Sequence, residues 1–301
     1  MKQNDKSAEE QNISLMIIGA QKAGTTSLKN YLGQHPSLKT HYHKEFAYFV
    51  DPNQYDNNFE NARKKYFPGN LHADYLIAKN AGLYVNDAGI ALLKAHNPNC
   101  KLVITLRNPV ERTYSAFLME KNYGMIDNPF ESLEEVMKNK DMTDWRYEFL
   151  IGMSLYEYHL KNIYNYFPPE QIKLIRYEDL KANSTKICLD IFKWMGINDD
   201  FTPDTSKRFN ETKLTRSARY GKFILRILGN HNPIKDFFRK ILPGKMDYKV
   251  GEYLRNINLK SENYAPMSLE MRNLLIDFYA PFNDELSKLT GMDFSDWNEK
   301  K

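Results

Sequence analysis

The sequence predicts an α/β fold: a central, mostly parallel sheet covered on both faces by helices, with a helical C-terminal third. Two observations carry this expectation. Short apolar or mixed-apolar segments at Leu15–Ile18, Leu102–Leu106 and Ile172–Arg176 have the length and branching of buried strands. Each is followed by a turn and then by apolar residues at helical spacing, and strands that alternate with helices make a parallel sheet.

In the first unit, Leu15–Ile18 runs into Gly19, and Leu28, Tyr31 and Leu32 then recur at helical spacing until His35-Pro36 ends the helix. The second unit starts at Cys100. Its strand ends before Asn108-Pro109, where Asn108 is a good N-cap, Pro109 fits the first helical position and Glu111 completes a capping box. The third is IKLIR followed by YEDL. A helix then runs from about Ser184, with Ile187, Ile191, Trp194 and Met195 as its apolar face and Gly196 as its C-terminal cap. Leu274, Leu275, Phe278 and Phe282 mark later helices. No repeat or low-complexity linker interrupts the chain. Residues 1–12 read as a mobile tail and 13–301 as a single domain.

Composition narrows the function. The 301 residues have a net charge of only +4, which gives no argument for nucleic acid but suits a protein that handles anionic ligands. The two cysteines, Cys100 and Cys188, form no C-x-x-C pair, so zinc and redox motifs are not expected; a reduced compartment is the simple reading, with one disulfide left open. The polar start lacks the apolar core of a signal peptide, and no run reaches the length of a transmembrane helix, so a cytoplasmic location without a membrane anchor is expected.

Ligands on open α/β sheets bind at the C-terminal ends of the strands, where all three candidate motifs fall. The first is IIGAQKAGTTSL, Ile17–Leu28. Gly19, Gly24 and Thr26 match the phosphate-loop pattern G-x-x-x-x-G-K-[ST], but Thr25 occupies the lysine slot and the lysine stands earlier, as Lys22. Backbone N–H groups between Gly19 and Ser27, with a helix start behind them, can cradle a phosphate. Without a lysine before the hydroxyl, ordinary magnesium-ATP chemistry is disfavoured, whereas Lys22 on the turn can reach the oxygen that bridges two anionic groups.

The second motif is RNPVERTYSAF. Arg107 ends its strand, and Asn108, Arg112 and Ser115 share one helical face, suited to a second phosphate. For Arg112 alone, a surface pair with Glu111 or Glu120 is the bland alternative.

Together these segments resemble the sulfotransferase family that uses 3′-phosphoadenosine 5′-phosphosulfate (PAPS), and within it the carbohydrate, heparan-type branch and its bacterial relatives. The likeness includes QIKLIRYEDL, the helix ending at Met195-Gly196, and the tail GMDFSDW. It implies a P-loop NTPase-like three-layer sandwich. It assigns Lys22 to the bridging oxygen, Gly24, Thr25, Thr26 and Ser27 to the 5′-phosphate side, and Arg107 and Ser115 to the 3′-phosphate. Tyr177 is implied as an adenine contact, with a core role equally open, and Arg216 and Arg219 as further 3′-phosphate candidates. No metal is required.

KEFAYF, Lys44–Phe49, is similar to the K-E-x-x-F-F segment of that branch, which makes Glu45 the base for the acceptor, with a Tyr-Phe pair where Phe-Phe is common. His43 is a rival base by analogy with the small-molecule branch, and the His41-x-His43 spacing lacks further metal ligands nearby. Asp74, near His72, is a candidate for positioning the acceptor. The acceptor implied is a carbohydrate; a lipid, another small molecule or a peptide stays open. Residues 216–249, with nine Lys/Arg and two Asp, read as a wall over the donor, a cleft for an acidic acceptor, a membrane-facing surface, or plain solvated helices. Two other functions compete. An ATP-dependent kinase or NTPase would place an acidic metal ligand at a strand end, where Arg107 stands. A non-catalytic module docking a polyanion or membrane would have no use for Lys22 and Glu45.

Overall fold

The structure is a computed structural model describing residues 12–55, 58–69, 74–139, 144–197, 200–207, 216–217, 219–220, 222–223, 253, 257–258 and 266–300. Residues 1–11 of the expected tail, His72 and most of the basic stretch 216–249 lie outside the described residues. The chain forms two compact units: Met1–Asn108 with Leu155–Asn210, and Pro109–Ser154 with Glu211–Lys301.

The first unit holds five strands, β1 (Ile13–Gly19), β2 (Leu38–Thr40), β3 (Tyr75–Lys79), β4 (Lys101–Leu106) and β5 (Ile172–Arg176). All pairings are parallel, in the order β2-β3-β1-β4-β5. The chain leaves β1 toward one edge and β4 toward the other, so the sheet changes direction between these two central strands. That is the crevice where such sheets bind ligands. Every residue of β1 except Ser14 is buried. Leu15, Ile17 and Val103 pack with residues of α1 (Thr25–Leu32) and α8 (Ser184–Met195). Met16, Ile18, Leu102 and Ile104, on the opposite face, are buried as completely, which accounts for the unbroken apolar runs.

The remaining helices of this unit are α2 (Phe59–Tyr66), α3 (Asp87–His96), α6 (Tyr156–Tyr164) and the short α7 (Tyr177–Ala182). Caps act where side chains allow. Asn86 accepts the N–H of Gly89 at 2.7 Å, Asn183 accepts that of Lys186 at 3.0 Å, and Gly196 closes α8 at φ 74°. YEDL, read as the segment that follows the strand, is the start of α7. Cys188, Ile191 and Phe192 are the fully buried side chains of α8, and Ile187, Trp194 and Met195 of the expected apolar face are partly buried against the same core. Trp194 also lies beneath the ammonium groups of Lys101 and Lys173, at 4.7 and 5.5 Å from its ring centre. Cys100 and Cys188 are free, buried thiols held protonated by desolvation, which closes the question of a disulfide.

The second unit contains α4 (Pro109–Asn122), α5 (Leu133–Asn139), a π-helical turn at Tyr147–Ile151 and α9 (Leu269–Thr290). Ser268 caps α9 by accepting the N–H of Met271, and Gly291 ends it at φ 70°. Beyond it Phe294 and Trp297 are buried with ring centres 4.4 Å apart, which gives the GMDFSDW tail a packing role.

Candidate active site

The loop after β1 is tied to β4 at its first step. Ala20 N–H donates to the Thr105 carbonyl at 2.8 Å, and Thr105 Oγ1 donates to the Gly19 carbonyl at 3.1 Å. The loop then turns through two left-handed residues, Lys22 at φ 69° and Gly24 at φ 79°. For a lysine this conformation costs about 1–2 kcal/mol, a strain of the kind that gathers at functional loops. Glycine is required at position 24 on a second count: a Cβ there would stand 3.0 Å from Tyr177 Cε2. Gly24 also provides no side-chain cap for α1, whose positive end faces this loop. Thr25 is buried, and Thr26 and Ser27 are half-buried. An anion fits this start of α1 by charge and by donor geometry.

The end of β4 completes this edge. Arg107 Nη1 donates to the Lys22 carbonyl at 2.9 Å, and its guanidinium lies 5.0 Å from the centre of the Tyr177 ring. Tyr156 Oη donates to the Arg107 carbonyl at 2.8 Å. The structure thus gathers Lys22, Gly24, Arg107 and Tyr177. The N–H of Asn108 donates to Glu178 Oε1 at 3.3 Å. In the second unit, Glu111 pairs with Arg272 at 2.6 Å.

Glu45 is presented by an aromatic anchor. Phe46, Tyr48 and Phe49 are buried, with the Phe46 ring 4.6 Å from that of Tyr66 and 5.7 Å from that of Phe49. Phe46 N–H donates to the Lys79 carbonyl at 2.7 Å. The side chain of Glu45 stays 36% exposed. Its Oε1 accepts from Lys79 Nζ at 2.7 Å and its Oε2 from the N–H of Ala81 at 3.0 Å. Lys79 Nζ also donates to Thr26 Oγ1 at 3.2 Å. One buried ammonium therefore joins the carboxylate to the phosphate-loop helix. Burial lowers the Lys79 pKa below the usual lysine range while Glu45 opposes that shift.

Sequence reasoning missed Lys79. Its one signal is a lysine closing the apolar run YLIAK at the C-terminal end of a strand, on the edge where ligands bind. Lys29 was missed as well. It is 5% exposed, donates to the carbonyls of His41 at 3.0 Å and His43 at 3.2 Å, and is lowered to about 8 by burial and by Lys79. His41 is a structural residue: buried, it accepts the Lys79 backbone N–H on Nε2 at 3.0 Å, and burial, with the nearby lysines, holds its protonation well below the ordinary range. His43 stacks on Tyr42 with ring centres 4.1 Å apart.

Other candidates are placed as follows. Asp74 is exposed and precedes β3, at the end of that strand opposite to Lys79, which removes it from the ligand-binding edge. Ser115 is buried on α4 in the second unit. Arg112 is fully buried there, donating to Ser154 Oγ and to the carbonyls of Phe149 and Leu150, which makes it an internal brace rather than a surface partner of Glu111 or Glu120. Arg216 and Arg219 are exposed, and the Arg216 N–H donates to the Asn258 carbonyl at 2.7 Å. Among the described residues no helix is long and apolar enough to cross a membrane.

A parallel α/β sheet with a glycine loop at its switch point, and a carboxylate tethered to the helix after that loop, has the framework of a P-loop-like fold. The chain belongs to the sulfotransferase family: the Sulfotransferase domain model matches residues 12–254. It is similar to bifunctional heparan sulfate N-deacetylase/N-sulfotransferase 1 of Xenopus laevis, at 24% identity over 91% of this chain and 29% of the relative. It is also similar to the enzyme of that name from Caenorhabditis briggsae, at 25% identity over 95% of this chain and 31% of the relative. The chain thus spans about three-tenths of the length of these relatives. Among solved structures, a sulfotransferase from Alicyclobacillus acidocaldarius shares the fold with a TM-score of 0.68 and 20% identity, over 96% of this chain and 99% of that one.

Proposed function

We propose that this enzyme transfers a sulfuryl group from PAPS to an amine or hydroxyl of a carbohydrate, with release of PAP. The observation that carries this reading is the connection Glu45–Lys79–Thr26, which ties the carboxylate of KEFAYF to the helix of the displaced-lysine loop. The names of the relatives, N-sulfotransferases of heparan sulfate, favour an amine on a glycan.

In this reading the donor's 5′-phosphate lies at the start of α1, against Gly24, Thr25, Thr26 and Ser27. Lys22 supplies, on the bridging oxygen, the positive charge that a metal ion supplies in ATP-dependent phosphate loops. The motif assigns the 3′-phosphate to Arg107 and Ser115, with Arg216 as a further contact, and Tyr177, already against Gly24 and Arg107, to the adenine. Glu45 takes the acceptor's proton as the nucleophile attacks sulfur in line with the departing phosphate. Its exposure leaves room for an acceptor, and positioning with fixed charges supplies most of the rate. The two free, buried thiols fit a reducing compartment, in keeping with a cytoplasmic site of action.

The test is transfer of labelled sulfate from PAPS to N-desulfated heparin, to unsulfated heparosan and to small phenols, by the wild type and by Glu45→Gln. Transfer to the glycans that falls sharply in Glu45→Gln, with PAP binding intact, supports the reading. A full rate in Glu45→Gln removes the base assignment. Transfer to phenols alone overturns the carbohydrate acceptor.

A further inference from the structure

We infer that Lys29 is a positioning residue that locks the acceptor-side loop, residues 41–45, to the helix of the phosphate loop. The inference rests on the reading of Glu45 as the base, because that loop is what presents Glu45.

A lysine in the last turn of a helix ordinarily keeps its ammonium in water, where it faces the negative helix end. Lys29 lies in the last turn of α1, yet it is 5% exposed and turns away from its own helix end, giving two charge-assisted hydrogen bonds to the carbonyls of His41 and His43. Burying a charged ammonium is costly unless its donors are satisfied, and an apolar residue would fill the same space without that cost. What the ammonium provides is specific. The segment 41–46 lies outside the strands, and Lys29 donates to both carbonyls from one point.

The clasp closes a circuit. Thr26 and Lys29 are three residues apart, hence on neighbouring positions of one face of α1. Thr26 holds Lys79 Nζ, Lys79 Nζ holds Glu45, and the Lys79 backbone N–H holds the His41 ring, whose own carbonyl returns to Lys29. Each end of the 41–45 segment is therefore fixed to the helix proposed to face the donor. Without the Lys29 bonds, the carbonyls of His41 and His43 lose their link to α1, while Glu45 keeps its contacts with Lys79 and Ala81 and its neighbour Phe46 keeps its own.

The test compares Lys29→Met with the wild type and with Glu45→Gln. Amide hydrogen exchange over residues 41–46, PAP affinity, and kcat and KM with N-desulfated heparin are measured in each. The expected result is faster exchange confined to 41–46, unchanged PAP affinity, and a kcat lower by roughly tenfold to a hundredfold, the penalty of a catalytic group displaced by about 1 Å. Lys29→Met should cost nothing further when Glu45→Gln is already present. If Lys29→Met does not fold, Lys29→Gln, which keeps amide donors one atom short, is expected to give a smaller loss of the same kind. Unchanged exchange and unchanged kcat in a folded variant overturn the inference. Faster exchange in Lys29→Met together with full activity in Glu45→Gln upholds the clasp and overturns the base assignment alone.

Discussion

Lys79 donates to Glu45 at 2.7 Å from a position that is 1% exposed, while the carboxylate it holds remains 36% exposed. The pair is thus half inside and half outside: the cation is fixed by its surroundings, and the anion can still meet a ligand. A buried ammonium is a poor device for stability, because desolvation opposes its charge. Its contact with Thr26 Oγ1 aligns the two elements proposed to act on acceptor and donor.

Lys79→Met should therefore separate stability from activity. Removing the buried charge leaves Glu45 hydrated rather than stranded, so the unfolding midpoint is expected to stay level or rise. Turnover should fall by roughly 10²-fold as the carboxylate loses its register with the loop. Thermal denaturation and initial rates on the same preparations check this, and a large fall in midpoint would contradict it.

Lys22→Ala should lower turnover by about 10²–10³-fold, the usual cost of losing one preorganised charge on a developing anion, with a much smaller effect on PAP affinity. The left-handed backbone at Lys22 adds a control: Lys22→Gly relieves strain and should be the more stable of the two variants, yet equally inactive. Rates and melting curves of the two variants, side by side, decide it.

Two glycines should resist alanine for different reasons. Gly24→Ala places a side chain at φ 79° and 3.0 Å from Tyr177, so both conformation and contact oppose it, at about 1–2 kcal/mol for the backbone alone. Gly19→Ala would collide with the Tyr84 ring without a conformational penalty, so its cost is steric. Pairing it with Tyr84→Leu should recover part of the loss, whereas Tyr177→Leu should do less for Gly24→Ala. Denaturant midpoints of the single and double variants measure the difference.

Acid should destabilise the first unit through His96. Its Nε2 accepts the Ile13 N–H at 3.2 Å at the start of β1, and burial lowers its pKa to about 4 from an ordinary 6.5. The unfolded chain then binds more protons than the folded one between these values. Stability is complete above pH 6.5 and is lost as pH falls toward 4, by up to ~3 kcal/mol from this group. His41, lowered for the same reason, adds in the same direction. His96→Gln, which keeps an acceptor for Ile13, should flatten the fall in denaturation midpoint over that window.

Much of this molecule is legible in the sequence because local chemistry decides it. Gly19 and Gly24 fix a loop, Pro109 opens a helix, Gly196 closes one, and IKLIR coincides with β5. The proposed donor side is legible for the same reason: its two main motifs, Ile17–Leu28 and RNPVERTYSAF, are each a contiguous segment. The proposed acceptor side is not, because it is assembled from α1, the 41–50 loop and β3 by side chains whose partners lie 12 to 53 positions away. Nothing local distinguishes Lys79 or Lys29 from a solvated lysine, and nothing local shows that the strand turns Asp74 to the wrong end. The aromatic residues around Phe46 read as composition until their packing shows that they hold Glu45 outward.

A donor site for two phosphates, with lysine in place of a metal ion, is what we propose for this protein. Calorimetric titration of the full chain with PAP, and with ATP as the comparison, each with and without magnesium, is the decisive measurement. Tight PAP binding that magnesium does not change, with ATP far weaker, is expected. Preferential binding of magnesium-ATP would overturn the proposal.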